Sequence, residues 1–259
     1  MTDGSKKRPR ILFGDHRTQM PAIERLIDHE RFDVTFAAFE DVDFTPFDLV
    51  VPLRIDQIAP TRAANADGRR RAVLPTAALV EALDDKWLFH QRLRELGFGD
   101  LLPELLGDER PYPHVLKNRR GTFGEGIRII RSAADEPSDV PPDSFREEAI
   151  EGADEYVLHL LRVDGRVRYR LCYRYVMDAP LTVRGAVDAP KTTEPADDAP
   201  ALAPCTAILD ALGYEGTCCF NYKLTDAGLK LIELNPRFGG SLVGDVTHYV
   251  AAHLAALAG

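Results

Sequence analysis

One segment near the end of the chain limits the possible folds more than any other, namely Leu231-Ile-Glu-Leu-Asn-Pro-Arg-Phe-Gly-Gly-Ser241. Its first residues alternate between apolar and polar side chains, which is typical of a β-strand. Successive side chains of a strand point to opposite faces, so Glu233 and Asn235 share one face. A carboxylate and an amide oxygen side by side are suitable ligands for a hard cation such as Mg²⁺. We therefore expect a strand that carries a metal site on one face.

The remainder of the same segment offers groups that bind anions. Arg237 can donate two parallel hydrogen bonds to a phosphate. Gly239 and Gly240 permit a tight turn whose N–H groups face a ligand. The alternative is a surface strand with ordinary charges, but four useful groups within a few residues favour a site.

A second glycine-bearing segment is Lys117-Asn-Arg-Arg-Gly-Thr-Phe-Gly-Glu-Gly126, with short strands predicted at 114–117 and 127–130. Glycine lets backbone N–H groups approach an anion closely, and Lys117 adds a positive charge. The segment differs from a P-loop, in which the lysine follows the glycines and a helix comes next. It predicts either another kind of phosphate loop or a plain hairpin turn with exposed basic residues.

The N-terminal part of the chain has the pattern of a small parallel α/β unit. Short apolar runs at 10–13 and 48–52, a β-rich run at 32–39 and helical spacing at 21–29 make up about 70 residues of this kind. The basic stretch at 60–72 is expected to be a solvated loop.

Ligands of open α/β sheets bind beyond the carboxyl ends of the strands. The polar side chains expected there are Asp15, His16, Arg17 and Arg54. Arg54 is a candidate to hold a substrate carboxylate, and an ordinary surface arginine is the alternative.

The rest of the chain predicts a first short helix that Thr76 can cap, an amphipathic helix, two hairpins and two later helices. A stretch at 178–200, with four prolines and little periodicity, is expected to be a mobile loop that closes over a substrate and brings Arg184 or Lys191 into the site. The predicted bounds are 84–97 for the helix, 155–161 with 166–177 and 216–224 with 229–234 for the hairpins, and 201–212 and a last helix through Leu257.

Composition excludes several classes of protein. The chain has 32 Lys and Arg against 41 Asp and Glu, a net charge of −9, which argues against a general nucleic-acid binder. No apolar run approaches the roughly 20 residues that span a bilayer, and no signal-peptide segment precedes the first strand. The four cysteines lack C-x-x-C spacing. We expect a cytoplasmic protein with reduced, partly buried thiols and no membrane partner.

In their order along the chain, these motifs resemble those of the ATP-grasp superfamily. Asp85-Lys86 opens a helix, Lys117 precedes the glycine loop, and Glu147-Glu-Ala-Ile-Glu-Gly152 matches the hinge. Glu233 to Ser241 matches the Glu-x-Asn-Pro-Arg-x-Gly-Gly-Ser end of the family pattern. The resemblance covers about residues 75–250. It implies an α/β fold of the grasp type, with a small parallel α/β domain at 1–75, a lid subdomain with the glycine loop at 76–150 and a core subdomain with the metal site at 151–259.

The resemblance also implies roles for individual residues, with ATP and Mg²⁺ as the cofactors. Lys86 and Lys117 would bind the ATP phosphates, and Arg237 would stabilise charge on the transferred phosphoryl group, which makes Arg237 and Lys117 the catalytic candidates. The lid would consist of Gly121, Thr122, Gly124 and Gly126. The adenine edge would meet Glu147, Glu148 and Ile150, the ribose would meet Glu155 or, as the alternative, Asp154, and the metal ligands would be Glu233, Asn235 and Asn221.

The sequence departs from the family pattern at two positions. Many members have a carboxylate ligand where this chain has Asn221, which removes one negative charge from the metal site. The arginine found two residues earlier in D-alanyl-D-alanine ligases is replaced by Cys219, and Arg170 or Arg174 is the candidate substitute. The tentative substrate residues are therefore Arg54, Arg170, Gly239, Gly240 and Ser241.

The resemblance predicts an ATP-dependent ligase that forms an acyl phosphate and ADP and joins the acyl group to an amine or another nucleophile. The substrates would be a small-molecule carboxylate and an amine in metabolite biosynthesis, and a homodimer is left open. Two alternatives remain, namely a kinase that phosphorylates a hydroxyl and a nucleotide-binding protein with a degraded metal site.

Overall fold

The structure is a computed structural model that describes residues 7–107, 110–185 and 187–259. Its first unit is a parallel sheet of three strands in the order β2-β1-β3. Phe13 and Val51 belong to a core that this sheet shares with the last helix. The elements of this unit are β1 (Arg10–Gly14), α1 (Met20–Leu26), β2 (Asp33–Ala37), β3 (Leu49–Val51) and α2 (Ile58–Thr61).

The basic stretch at 60–72 is only partly the solvated loop that we expected. Arg71 is buried, and its guanidinium donates to the carbonyl oxygens of Phe47 and Ala64 and to the carboxylate of Asp67. The prediction was wrong for Arg71 because an arginine can be buried where carbonyls and a carboxylate satisfy its donors.

The second unit is an antiparallel sheet in the order β4-β7-β5-β6 with two helices beside it. Thr76 caps the first helix, as the sequence predicts. Asp85 has an extended backbone and caps the second, which begins at Lys86 and ends at Glu95 within the predicted bounds 84–97. The elements are α3 (Ala77–Asp84), α4 (Lys86–Glu95), β4 (Leu105–Leu106), β5 (His114–Asn118), β6 (Ile127–Ile130) and β7 (Ser144–Glu148).

The third unit is an antiparallel sheet of five strands in the order β10-β9-β8-β11-β12. One face of this sheet packs on helix α5, and the opposite face contributes Leu161 and Val163 to the core shared with the N-terminal unit. The elements are β8 (Asp154–Val163), β9 (Arg166–Val176), β10 (Thr192–Pro195), α5 (Ala199–Leu212), β11 (Gly216–Thr225), β12 (Gly228–Asn235) and α6 (Val246–Leu257).

The stretch at 178–200 differs from the expected mobile loop. It contains β10, which pairs with β9, and a bridge between Arg184 and Asp188. Strand pairing holds residues 192–195 on the third sheet, whereas the bridge is a local contact within the stretch.

The three sheets lie within the segments 1–75, 76–150 and 151–259, while the domain boundaries themselves remain a prediction. Among the described residues, none of the helices combines the length and the apolar character needed to cross a membrane.

Candidate functional site

A cleft of about 610 Å³ lies between the second and third sheets and extends to the carboxyl ends of β1 and β3. This volume falls within the usual range for small-molecule sites. Strand alternation places one face of the third sheet on the cleft. That face includes Glu155, Val157, His159, Tyr175, Cys219, Asn221, Lys223, Glu233 and Asn235.

Lys117 forms a buried ion pair on the opposite wall of the cleft. Its side chain is 4% exposed, and its Nζ contacts Oε1 of Glu147 on the neighbouring strand. His90 of α4 lies on the other oxygen, with Nε2 3.1 Å from Oε2 of Glu147. Burial alone would raise the pKa of Glu147, but Lys117 and His90 outweigh it and lower that pKa. The Glu147 side chain thus holds Lys117 in place, while both residues line the cleft.

Lys86 lies at the start of α4 and points into the same cleft. Its Nζ donates to the carbonyl oxygen of Gly121 at 3.0 Å and lies 3.8 Å from Oε2 of Glu233. The preceding Asp85 caps the helix and also accepts hydrogen bonds from the Arg119 guanidinium. These contacts attach the glycine segment to the helix end that carries Lys86.

The glycine segment requires glycine at defined positions. Gly121, Gly124 and Gly126 have φ values of 140°, 74° and 71°, a region that other residues rarely adopt. A Cβ on Gly124 would lie 2.8 Å from Val183. The predicted lid residues, including Thr122, all border the cleft except Gly126, which packs on Asn118.

The three predicted metal ligands meet at one point of the cleft. The side-chain amides of Asn221 and Asn235 each donate to Oε1 of Glu233 at 2.8 Å. Burial would raise the pKa of Glu233, but Lys86 and the Asn235 amide outweigh it and lower that pKa. No group of three His, Cys, Asp or Glu suited to a metal occurs among the described residues.

This donor set fits Mg²⁺ only with help from another ligand. Magnesium is commonly held by one or two carboxylates together with substrate phosphates. Glu233 supplies one carboxylate, and the two amides offer oxygens once they are rotated. The site therefore fits a magnesium ion that arrives with a phosphate ligand.

Glu155, rather than Asp154, faces the cleft. Asp154 lies on the opposite face of β8, where it pairs with Arg174. Glu155 accepts a hydrogen bond at 2.7 Å from Nε of Arg184, whose guanidinium lies over the Tyr175 ring. Alternation therefore selects Glu155 of the two predicted ribose ligands.

Arg170 does not reach the cleft, so its assignment to the substrate site was wrong. It lies on the face of β9 opposite Tyr175 and pairs with Asp198 near the start of α5. Lys191 of the 178–200 stretch likewise lies outside the cleft and pairs with Asp178, whereas Arg184 enters it.

Arg54 lies at the cleft edge where the sequence predicts it, but its charge is already balanced. Its guanidinium pairs with the carboxylates of Asp56 and Asp15. Asp15 also accepts from Gln57. Arg54 thus joins the ends of β1 and β3, and its role toward a substrate carboxylate stays a prediction.

The turn after β12 also borders the cleft. Arg237, Gly239, Gly240 and Ser241 all line it. A Cβ on Gly239 would lie 2.4 Å from the His159 ring, so only glycine fits there. The Ser241 hydroxyl lies 2.7 Å from Nε2 of His159.

The four cysteines are free, in agreement with the prediction, and all four are buried rather than partly buried. Cys219 lies in the cleft wall, but burial raises its pKa to about 11 despite the nearby Arg237. It is therefore a neutral thiol and a poor nucleophile.

Sequence reasoning missed three side chains of this site. His90 and His159 are buried against Glu147 and Ser241, and Nζ of Lys223 donates to the carbonyls of Ile150, Gly152 and Pro180. Alternation from Glu155 and Asn221 would have indicated His159 and Lys223, whereas His90 is placed by tertiary packing of α4. Glu148 and Ile150, both predicted to meet the adenine, also border the cleft.

Unfolding free energy should depend on pH through His159. Burial, with Arg237 and Arg184 nearby, lowers the pKa of His159 to about 3 from an ordinary value of 6.5. As pH falls, the unfolded chain therefore binds a proton at His159 before the folded protein does. The contribution of the neutral imidazole to the free energy of unfolding is complete above about pH 6.5 and is lost as pH falls toward 3. Between pH 7.5 and 5, wild type should lose about 2 kcal/mol more than His159→Gln in urea unfolding.

The control for this comparison is His248→Gln, which changes an exposed histidine. Equal losses for wild type and His159→Gln would contradict the assignment of a buried neutral imidazole.

No protein-family model matches the sequence, and no curated protein matches it either. Solved structures do match the fold. D-alanine–D-alanine ligase from Bacillus anthracis is 13% identical with a TM-score of 0.63, over 96% of this chain and 94% of that chain. L-amino acid ligase from Bacillus licheniformis is 20% identical with a TM-score of 0.62, over 95% of this chain and 70% of that chain.

A third similar structure contains a nucleotide. The biotin carboxylase domain of 2-oxoglutarate carboxylase from Hydrogenobacter thermophilus, in complex with MgADP and bicarbonate, is 14% identical with a TM-score of 0.61, over 98% of this chain and 70% of that chain. These enzymes are ATP-grasp proteins. The chain therefore has the ATP-grasp fold that its sequence motifs predict.

Proposed function

We propose that this protein is an ATP-dependent ligase that activates a carboxylate as an acyl phosphate, with release of ADP, and transfers the acyl group to an amine, with release of phosphate. The observation that carries the proposal is the convergence of distant motifs on one cleft. Lys86, Lys117 and the pair Glu233 and Arg237 come from three separate parts of the sequence, and all four residues line it. The similar ligases join amino acids according to their names, which supports the same class of reaction here.

The nucleotide would lie between the second and third sheets. Lys86 and Lys117 carry positive charge into the part of the cleft beside the glycine segment, where triphosphate charge would be balanced. Glu155 would bind the ribose hydroxyls after Arg184 moves from it. Glu147 would position Lys117 rather than contact the nucleotide itself, because its carboxylate is paired with that lysine.

The remaining residues would serve the transfer itself. Glu233, with the amide oxygens of Asn235 and Asn221, would hold Mg²⁺, which neutralises phosphate charge when bound. Arg237 would orient and neutralise the phosphoryl group as it passes to the carboxylate. The glycine segment and the 182–184 stretch cover the same part of the cleft, and their closure would exclude water from the acyl phosphate.

Nucleotide binding should depend on Lys117. A charge-assisted hydrogen bond contributes about 1.5–3 kcal/mol, so Lys117→Met should weaken MgADP binding by roughly 10- to 100-fold in calorimetry. Lys191→Met removes the same charge from an exposed site outside the cleft and should stay within about twofold of wild type. Melting curves establish that both variants are folded. Equal affinities of Lys117→Met and wild type would contradict the proposed phosphate site.

The products should distinguish a ligase from the two alternatives. With ATP and pairs drawn from a panel of amino acids, wild type should release ADP and inorganic phosphate in equal amounts for the accepted pair, because the acyl phosphate is consumed. A kinase would release ADP without phosphate. A binding protein would bind MgADP and release neither.

Glu233→Gln serves as the site variant in this assay and Glu95→Gln, on the exposed side of α4, as its matched control. Loss of the only carboxylate among the predicted metal ligands should lower turnover at least 100-fold, which corresponds to about 2.7 kcal/mol. Turnover of Glu233→Gln at the level of Glu95→Gln would contradict the proposal.

A further inference from the structure

His159 is a buried titratable group that the proposed reaction does not use. It projects from β8 into the wall of the cleft with 1% of the residue exposed. Its Nε2 lies 2.7 Å from the Ser241 hydroxyl oxygen. Its Nδ1 is buried, and within the described part of the chain it has no hydrogen-bond partner.

The environment of the ring determines its charge. Burial and the neighbouring Arg237 and Arg184 lower the pKa of His159 to about 3, so the imidazole is neutral at physiological pH. The adjacent Cys219 on β11 is also neutral, since burial raises its pKa to about 11. A neutral imidazole has one N–H donor and one acceptor nitrogen.

The two nitrogens are not equivalent as positions for that single proton. A proton on Nδ1 would leave a buried donor without a partner, which is rare and costly in folded proteins. A proton on Nε2 makes a hydrogen bond to the Ser241 oxygen instead. The geometry therefore favours the tautomer in which Nε2 donates to Ser241.

Backbone packing holds the ring in this position. The Cα of Gly239 approaches so closely that a Cβ would lie 2.4 Å from Cε1 and 2.9 Å from Nδ1 of His159. The same turn carries Ser241 two residues later. Ring and hydroxyl are thus held together by one turn of the chain.

This tautomer determines whether the Ser241 hydroxyl acts as a hydrogen-bond donor or as an acceptor toward a ligand in the cleft. Because the serine oxygen accepts from Nε2, its own hydrogen can donate either to the neighbouring Tyr175 hydroxyl or to a ligand in the cleft. A hydroxyl hydrogen in a cleft that Arg237 also lines suits an oxygen with negative charge.

We propose that His159 is a positioning residue, which donates from Nε2 to Ser241 and thereby fixes the Ser241 hydroxyl as a hydrogen-bond donor to an oxyanion in the cleft. The inference rests on the proposed function in one respect, because that function supplies the oxyanion, either the carboxylate to be activated or the transferred phosphate.

The first test needs no ligand. In protein with ¹⁵N-labelled histidine, the nitrogen chemical shifts of His159, assigned by comparison with His159→Gln, should show a protonated Nε2 and a bare Nδ1 at pH 7. The Nε2 resonance should shift in Ser241→Ala. A proton on Nδ1, or an Nε2 resonance unchanged by Ser241→Ala, would overturn the proposal.

The second test measures oxyanion binding to the MgADP complex by calorimetry, with inorganic phosphate in one arm and acetate in the other. Ser241→Ala and His159→Leu should each weaken binding of the favoured anion about tenfold. His159→Gln should stay within about threefold of wild type, because the glutamine Nε2 can donate from a similar position. His159→Leu should cost nothing further in the Ser241→Ala background, since both act through one hydroxyl.

The titration, with phosphate or with acetate, in which the variants bind more weakly than wild type identifies the oxyanion as phosphate or carboxylate. Equal affinities of wild type and His159→Leu in both arms, additive losses in the double variant, or no binding of either anion by the wild-type complex would overturn the proposal. Failure of wild type to bind MgADP would instead contradict the proposed function, and the tautomer measurement on the free protein would still decide the role of His159.

Discussion

The arrangement of the cleft depends on how two carboxylates in its walls, the buried Glu147 and the partly buried Glu233, are neutralised. Glu147 and Glu233 lie on opposite walls, and an unpaired charge at either position would be costly. Lys117 and His90 balance Glu147, while Lys86 and two side-chain amides surround Glu233. Lys117 and Lys86, the two lysines among these partners, are the groups that would bind phosphate, so the ion pairs that stabilise the cleft walls involve the residues that would serve the nucleotide.

Strand alternation made much of the site predictable from sequence. It correctly placed Glu233 and Asn235 on one face, and applied to β8 it separates Glu155 from Asp154. The error at Arg170 arose because its position on the neighbouring hairpin was considered, but not the face of the strand to which its side chain points. Counting from Tyr175 along β9 places Arg170 on the opposite side of the sheet.

Other features could not be predicted, because they depend on contacts between distant segments. Arg184 reaches Glu155 from a stretch without periodicity, and His90 meets Glu147 only when α4 packs on the second sheet. The burial of Arg71 depends on carbonyls of two other loops. The sequence offers charged residues at these positions but no local pattern that specifies their partners.

Hydrogen exchange with and without MgADP tests whether a nucleotide lies between the second and third sheets. We expect slower exchange in the glycine segment at 117–126 and in the hinge at 147–152, with no change in α1 and β2, which lie outside the cleft. Unchanged exchange in both segments at saturating nucleotide, or protection confined to α1 and β2, would contradict this position of the nucleotide.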